Sequence, residues 1–218
     1  MNQLIFKFPF SKKYYEQDFF VSSNNFSAYK LVESWPNWPG KWLNIFGSKG
    51  SGKTHLAKIL EKKIYKIKLI EAKNIKNELI KDLNNLDCLI IDNYDNNINE
   101  KLLYSILNQS KQLENYILIN SVFPIKSTNF NLEDLKSRIR SFLFIGIDLP
   151  TDDLLEVIIT KTLSEKQVNI NPKLLNFIIN NVERSYEKMF KFLKDVDELS
   201  LSTGKSININ LIKKVLNQ

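Results

Sequence analysis

Gly47-Ser48-Lys49-Gly50-Ser51-Gly52-Lys53-Thr54 gathers the residue types that grip a polyphosphate, at the spacing G-x-x-x-x-G-K-[ST]. Glycines at 47, 50 and 52 let the backbone turn tightly enough for its N–H groups to point at phosphate oxygens. The pattern places the Lys53 ammonium on the terminal phosphates and the Thr54 hydroxyl on magnesium. Ser51 completes the loop, and His55, the only histidine, follows the threonine. A flexible Gly-Ser turn without a ligand is the bland alternative, and context argues against it. The apolar run Trp42–Phe46 precedes the loop and a helical pattern over Lys53–Lys63 follows it. A strand, then the loop, then a helix whose positive end faces the anion is the setting this motif requires. The expected ligand is ATP or ADP with Mg.

Asp92 ends the apolar run Cys88-Leu89-Ile90-Ile91-Asp92. A carboxylate at the C-terminal edge of such a strand falls beside the phosphate loop and shares the magnesium shell with Thr54. The next residue, where a water-activating carboxylate is common, is Asn93. An amide can orient water but cannot take its proton, so any intrinsic ATPase is expected to be slow.

Arg138 and Arg140, in Leu135-Lys136-Ser137-Arg138-Ile139-Arg140, are two of only three arginines; the third is Arg184, against 28 lysines. A chain that uses Lys almost everywhere keeps Arg where a planar fork of donors is needed. An Arg at this edge can reach a nucleotide held by a neighbouring subunit and act as an arginine finger. Pairing with Glu133 or Asp134 is the local alternative, and the residues alone leave the two open.

Five strand-like runs, Trp42–Phe46, Ile67–Glu71, Cys88–Asp92, Tyr116–Ser121 and Phe142–Ile147, position these groups. Helical patterns, including Lys53–Lys63, Ile75–Leu83 and Glu100–Asn108, separate most of them. The alternation predicts an α/β fold, a parallel five-stranded sheet with helices on both faces. Beyond Asp148-Leu149-Pro150 the strand signal ends. Thr151 and Asn171 read as helix caps, Pro172 as a first helical position, and Gly204 as the stop of a third helix from about Ser185 to Ser202; a fourth starts near Asn210. The expected organisation is an extended peptide over 1–10, a nucleotide domain over 11–150 and a small all-α lid over 151–218.

The first ten residues alternate apolar and other side chains, which fits an edge strand or an extended peptide lying in a partner's groove. The 218 residues are 43% hydrophobic, enough for a core, and no run approaches the ~18 apolar residues of a membrane span. No signal-peptide pattern opens the chain, and one cysteine, Cys88, excludes a disulfide framework and a cysteine metal cluster. The one histidine, His55, belongs to the loop motif, so histidine metal sites and Ser-His-Asp chemistry are not expected. A cytoplasmic protein is expected. The net charge of +7 comes from lysines spread along the chain, which reads as a solvated surface more than as a DNA-binding face.

Taken together these features resemble the AAA+ family of the replication initiator DnaA, and more closely its shortened Hda-type relatives. The loop ending Gly52-Lys53-Thr54-His55-Leu56 is similar to DnaA-type loops, in which His follows Thr. Asp18–Asn25 resembles the segment that covers adenine, which implies Phe20 and Val21 as base contacts. Leu132–Arg138 is similar to the segment carrying the trans-acting arginine, which maps to Arg138. Gln3-Leu4-Ile5-Phe6-Lys7-Phe8 is similar to the Hda peptide that binds the DNA polymerase sliding clamp, with Gln3 as polar anchor and Leu4, Phe6 and Phe8 as apolar ones. The resemblance implies a regulator that docks on the clamp and stimulates hydrolysis of DnaA-bound ATP through Arg138. DNA contact would be indirect or non-specific, and a homo-oligomer is allowed. A helix-turn-helix domain is not expected after Gly204. Three positions depart from the DnaA pattern. Asn93 replaces a carboxylate, the polar sensor after the fourth strand falls on Val122 with Asn120 nearby as its substitute, and the lid arginine falls on Glu187 beside Lys188. Poor discrimination in favour of ATP is the consequence expected. A helicase-loader or transposition-helper ATPase is the rival within the superfamily. A small-molecule kinase is disfavoured by the scarcity of arginine.

Overall fold

The structure, a computed structural model, describes residues 14–96 and 98–216. Gln3, Leu4, Phe6 and Phe8 therefore lie outside the described residues. The chain divides into two compact units, one spanning Tyr14–Asp148 and the other containing the chain from Leu149 onward.

In the first unit, β1 (Trp42–Gly47), β2 (Ile67–Glu71), β3 (Cys88–Tyr94), β4 (Tyr116–Ser121) and β5 (Leu143–Ile147) form a sheet in the order β2-β3-β4-β1-β5, with every pairing parallel. The helices are α1 (Phe26–Glu33), α2 (Lys53–Lys63), α3 (Leu79–Asp82), α4 (Glu100–Gln112) and α5 (Glu133–Ile139). Both faces of the sheet are covered, so its central strands read as nearly continuous apolar runs. Side chains alternate between the faces with period two. Cys88, Ile90 and Leu118 join Leu56 and Leu60 of α2 and Val32 of α1 in one core. Leu89, Ile91, Ile117 and Ile119 join Leu103 of α4 and Leu135 of α5 in the other. At about 1.5–3 kcal/mol for each buried aliphatic side chain, these layers dominate the stability of the unit.

The helical pattern over Ile75–Leu83 is realised only as α3, flanked by 3₁₀ turns over Ala72–Asn74 and Leu83–Asn85. Asn74, Asn77, Asn84 and Asn85 explain the shortening, because Asn favours turns over helix interiors. Helix α4 runs one turn beyond the expected Asn108, and α1 carried no clear sequence signal.

The second unit holds α6 (Asp152–Ser164), α7 (Pro172–Asn181), α8 (Tyr186–Thr203) and α9 (Ile209–Leu216) around a core of Leu155, Ile159, Ile178, Met189, Leu193 and Ile212. Thr151, Asn171 and Ser185 cap three of these helices by accepting from the backbone N–H of Leu154, Leu174 and Lys188. Gly204 ends α8 in the left-handed conformation, φ 63°. Within the described residues, no helix is long and apolar enough to cross a membrane.

Candidate functional site

Strand order places the C-terminal ends of β1, β3 and β4 side by side, the crevice where open α/β sheets take their ligands. The Gly47–Thr54 loop leaves β1 there and runs into α2, whose cap residue Gly52 supplies no side-chain bond to the first-turn N–H groups. Gly52 holds φ +96°, a left-handed value that costs other residues strain. A Cβ on it would lie 2.9 Å from Cε2 of Phe19, and one on Gly47 would lie 2.7 Å from the Ile147 carbonyl oxygen.

Lys53 is 8% exposed and donates to the carbonyls of Gly47 at 2.6 Å and Ser48 at 2.9 Å. Burial pulls its ammonium down to about 8, and the nearby Asp92 carboxylate acts in the opposite direction. Thr54 donates through Oγ1 to Asp92 Oδ2 at 2.8 Å. Asn120, fully buried on β4, gives its Nδ2 to Asp92 Oδ1 at 2.9 Å and to the Lys53 carbonyl at 3.1 Å. Both neighbours are acceptors, so the amide orientation is set by chemistry. The sequence singled out Lys53, Thr54, Asp92 and Asn120 separately, and the fold brings them into one cluster. Asn120 is bonded to the carboxylate and the loop, which makes its visible role the positioning of Asp92.

These residues fit a nucleotide with magnesium. Three features carry the fit: a buried ammonium held by carbonyls within a tight loop, uncapped N–H groups at the start of α2, and a hydroxyl and a carboxylate suited to a hard cation.

Asn93 is exposed at φ 55°, next to an irregularity in the β3–β4 register between Ile91 and Tyr94. Asn tolerates that conformation better than Glu does, a backbone reason for an amide here. Ahead of α1, Phe20 is exposed and Val21 half-buried, whereas Phe19 stacks on Tyr29 at 5.8 Å and meets the edge of His55 at 5.3 Å. His55 Nε2 also lies 2.6 Å from the Tyr15 carbonyl. Sequence reasoning passed over Phe19; its place between the loop and α1 depends on the fold.

Asn44, fully buried in β1, was likewise missed. Its Nδ2 donates to the Ile119 carbonyl and to Ser121 Oγ, while its Oδ1 accepts from the Ile125 N–H at 3.0 Å. It ties the segment after β4 to the centre of the sheet. The one polar residue in an apolar strand was the available signal.

Away from the loop, Arg138 lies in the last turn of α5. Neither carboxylate expected to compete for it is its partner. Glu133 pairs with Lys136 at 2.5 Å, and Arg138 Nη2 donates to Asn108 Oδ1 on α4 at 2.8 Å. Arg138 Nε is buried without a hydrogen-bond partner. At the other end of the α4–α5 pair, the Glu100 carboxylate accepts from the N–H groups of Asn131 and Leu132 at 3.0 and 2.9 Å, which holds its carboxyl below the usual range. Arg140 is exposed at the end of α5.

A family model described as "Hda, lid domain" matches residues 152–216. The chromosomal replication initiator DnaA of Borrelia turicatae is 27% identical over 241 residues, covering 95% of this chain and 49% of that protein. The crystal structure of domain III of Thermotoga maritima DnaA superimposes with a TM-score of 0.77 at 19% identity, covering 96% of this chain and 98% of that one. The fold is that of an AAA+ domain, and the sequence is related to DnaA along nearly its whole length and to Hda in the lid. It spans about half the length of the curated relatives it matches. AMPPCP-bound DnaA from Aquifex aeolicus is also similar, with a TM-score of 0.69 at 22% identity over 89% of this chain and 68% of that one.

Within this AAA+ framework, Val122 follows β4 as a half-exposed apolar residue without a side-chain donor. Glu187 is exposed in the first turn of α8, where a carboxylate is favoured by the helix dipole. Arg184 pairs with Asp152 at 3.0 Å inside the lid.

Proposed function

We propose that the chain is a nucleotide-binding regulator of replication initiation, organised as an N-terminal docking peptide (1–10), an AAA+ domain (11–150) and a lid (151–218). The observation that carries nucleotide binding is the cluster of Lys53, Thr54, Asp92 and Asn120 at the ends of β1, β3 and β4. The AMPPCP in the Aquifex neighbour supports the same reading. The ligand is ATP or ADP, with magnesium held through Thr54 and Asp92. Magnesium, when bound, neutralises phosphate charge as a Lewis acid. Lys53 binds and orients the terminal phosphates, Phe20 and Val21 contact the base, and Asn120 holds Asp92 in place. Asn93 offers no base for water, so the chain's own hydrolysis is slow.

The Hda-type lid supports a role directed at DnaA. In this reading Gln3, Leu4, Phe6 and Phe8 dock on the DNA polymerase sliding clamp, and Arg138 completes the hydrolysis site on DnaA-bound ATP. An arginine finger supplied in trans is worth about 10³–10⁵ in rate. The test is single-turnover hydrolysis of DnaA-bound ATP with clamp and this chain present. Arg138→Ala should abolish the stimulation while nucleotide binding persists. Stimulation by that variant equal to the unsubstituted chain would refute the finger. Equal clamp binding by the unsubstituted chain and Gln3→Ala would refute the tether.

A further inference from the structure

We infer that Asn108 is the positioning residue for Arg138, holding the guanidinium in place by a neutral amide so that its charge stays available to a phosphate on another molecule. The inference rests on the trans-acting role proposed for Arg138 and names the group that prepares it.

Nε and Nη2 lie along one edge of the planar guanidinium, the edge a carboxylate fills with two parallel bonds. Here Nη2 donates to Asn108 Oδ1 at 2.8 Å, while Nε on the same edge is buried without a partner. An edge shaped for a carboxylate is half filled by an amide. Leaving a buried donor unpaired costs stability, and an Asp at 108 would recover that cost with an ion pair. It would also cancel the charge that a phosphate is meant to meet. The amide fixes the side chain and leaves the Nη1 side of the fork uncommitted to Asn108.

The surroundings fit a positioning device. Helices α4 and α5 are tied at one end by Glu100 to the backbone of Asn131 and Leu132, and at the other by Asn108 to Arg138. Between the ties, Leu103 and Leu107 of α4 share a core with Leu135 and Ile139 of α5. Arg138 therefore projects from a helix that is fixed at both ends. The nearby carboxylate Glu133 is occupied by Lys136 and does not draw the guanidinium away.

Two variants test the inference, Asn108→Asp and Asn108→Ala, each alone and with Arg138→Ala. Asn108→Asp should raise the thermal midpoint by about 2–4 °C, as expected for one added ion pair in a protein of this size, and Arg138→Ala should remove the gain. In hydrolysis of DnaA-bound ATP, Asn108→Asp should cut the maximal stimulated rate by about a hundredfold, and Asn108→Ala by about tenfold to a hundredfold, because a small misplacement of a catalytic group has effects of this size. The concentration giving half-maximal stimulation should stay unchanged for both. A purely structural Asn108 predicts that the stabilised Asp variant stimulates at least as well as the unsubstituted chain, and that result would overturn the inference. Should Arg138→Ala itself stimulate normally, the trans-acting reading fails. Should Arg138→Ala abolish stimulation while both Asn108 variants match the unsubstituted chain, only the positioning role fails.

Discussion

Phe19 packs against Gly52 so closely that a Cβ built on the glycine would stand 2.9 Å from the ring. The phosphate loop and the segment ahead of α1 are thus pressed together at a residue with φ +96°. Gly52→Ala meets two penalties, a left-handed backbone and an aromatic ring that must move. The expected loss is about 1–3 kcal/mol of stability, with weakened nucleotide binding. Urea denaturation measures the first; an unchanged midpoint would show that the contact does not constrain the loop.

Asn120 and Asp92 form the second joint of the site. Removing the amide leaves Asp92 Oδ1 and the Lys53 carbonyl without their shared donor in a buried setting. Asn120→Ala should cost about 1–3 kcal/mol. Asn120→Asp should cost more at neutral pH, because two carboxylates then face each other, and should recover part of the loss as the pH falls and one of them binds a proton. Denaturation at pH 7 and pH 5 separates the cases, and equal stability of Asn120→Asp and the unsubstituted chain at pH 7 would contradict this geometry.

Lys53 gives nucleotide binding a pH signature. Without ligand its ammonium titrates near 8, lowered by burial. Phosphate oxygens beside it raise that value again, so the complex holds more protons than the free protein above pH 8. Affinity should change little between about pH 7 and 8 and fall above that, approaching tenfold per unit. Calorimetry at pH 9 in buffers of differing ionisation enthalpy should show proton uptake on binding, whereas at pH 7 Lys53 should add none. Affinity that rises above pH 8 would contradict the assignment.

The sheet was legible because each strand is a short apolar run bounded by turn residues, and Ile67–Glu71 and Tyr116–Ser121 begin and end where their patterns do. The phosphate loop was legible because its chemistry is local in sequence. Contacts made by packing were not. Phe19 meets Gly52 across 33 positions of sequence, and Asn108 meets Arg138 across 30, so neither pair has a local pattern. The region around α3 departs from its pattern because its apolar spacing is helical while its asparagines favour turns. In the sequence Asn93 reads as chemistry, and its φ of 55° supplies a backbone reason as well.

Calorimetric titration of the full chain with ADP and with ATP, each with magnesium, decides whether the Gly47–Thr54 loop takes a nucleotide, with Lys53→Ala measured alongside. Saturable binding of both nucleotides by the unsubstituted chain is expected, with a loss of at least tenfold in affinity for Lys53→Ala. No binding of either nucleotide at millimolar concentration, or equal binding by the variant, would contradict it.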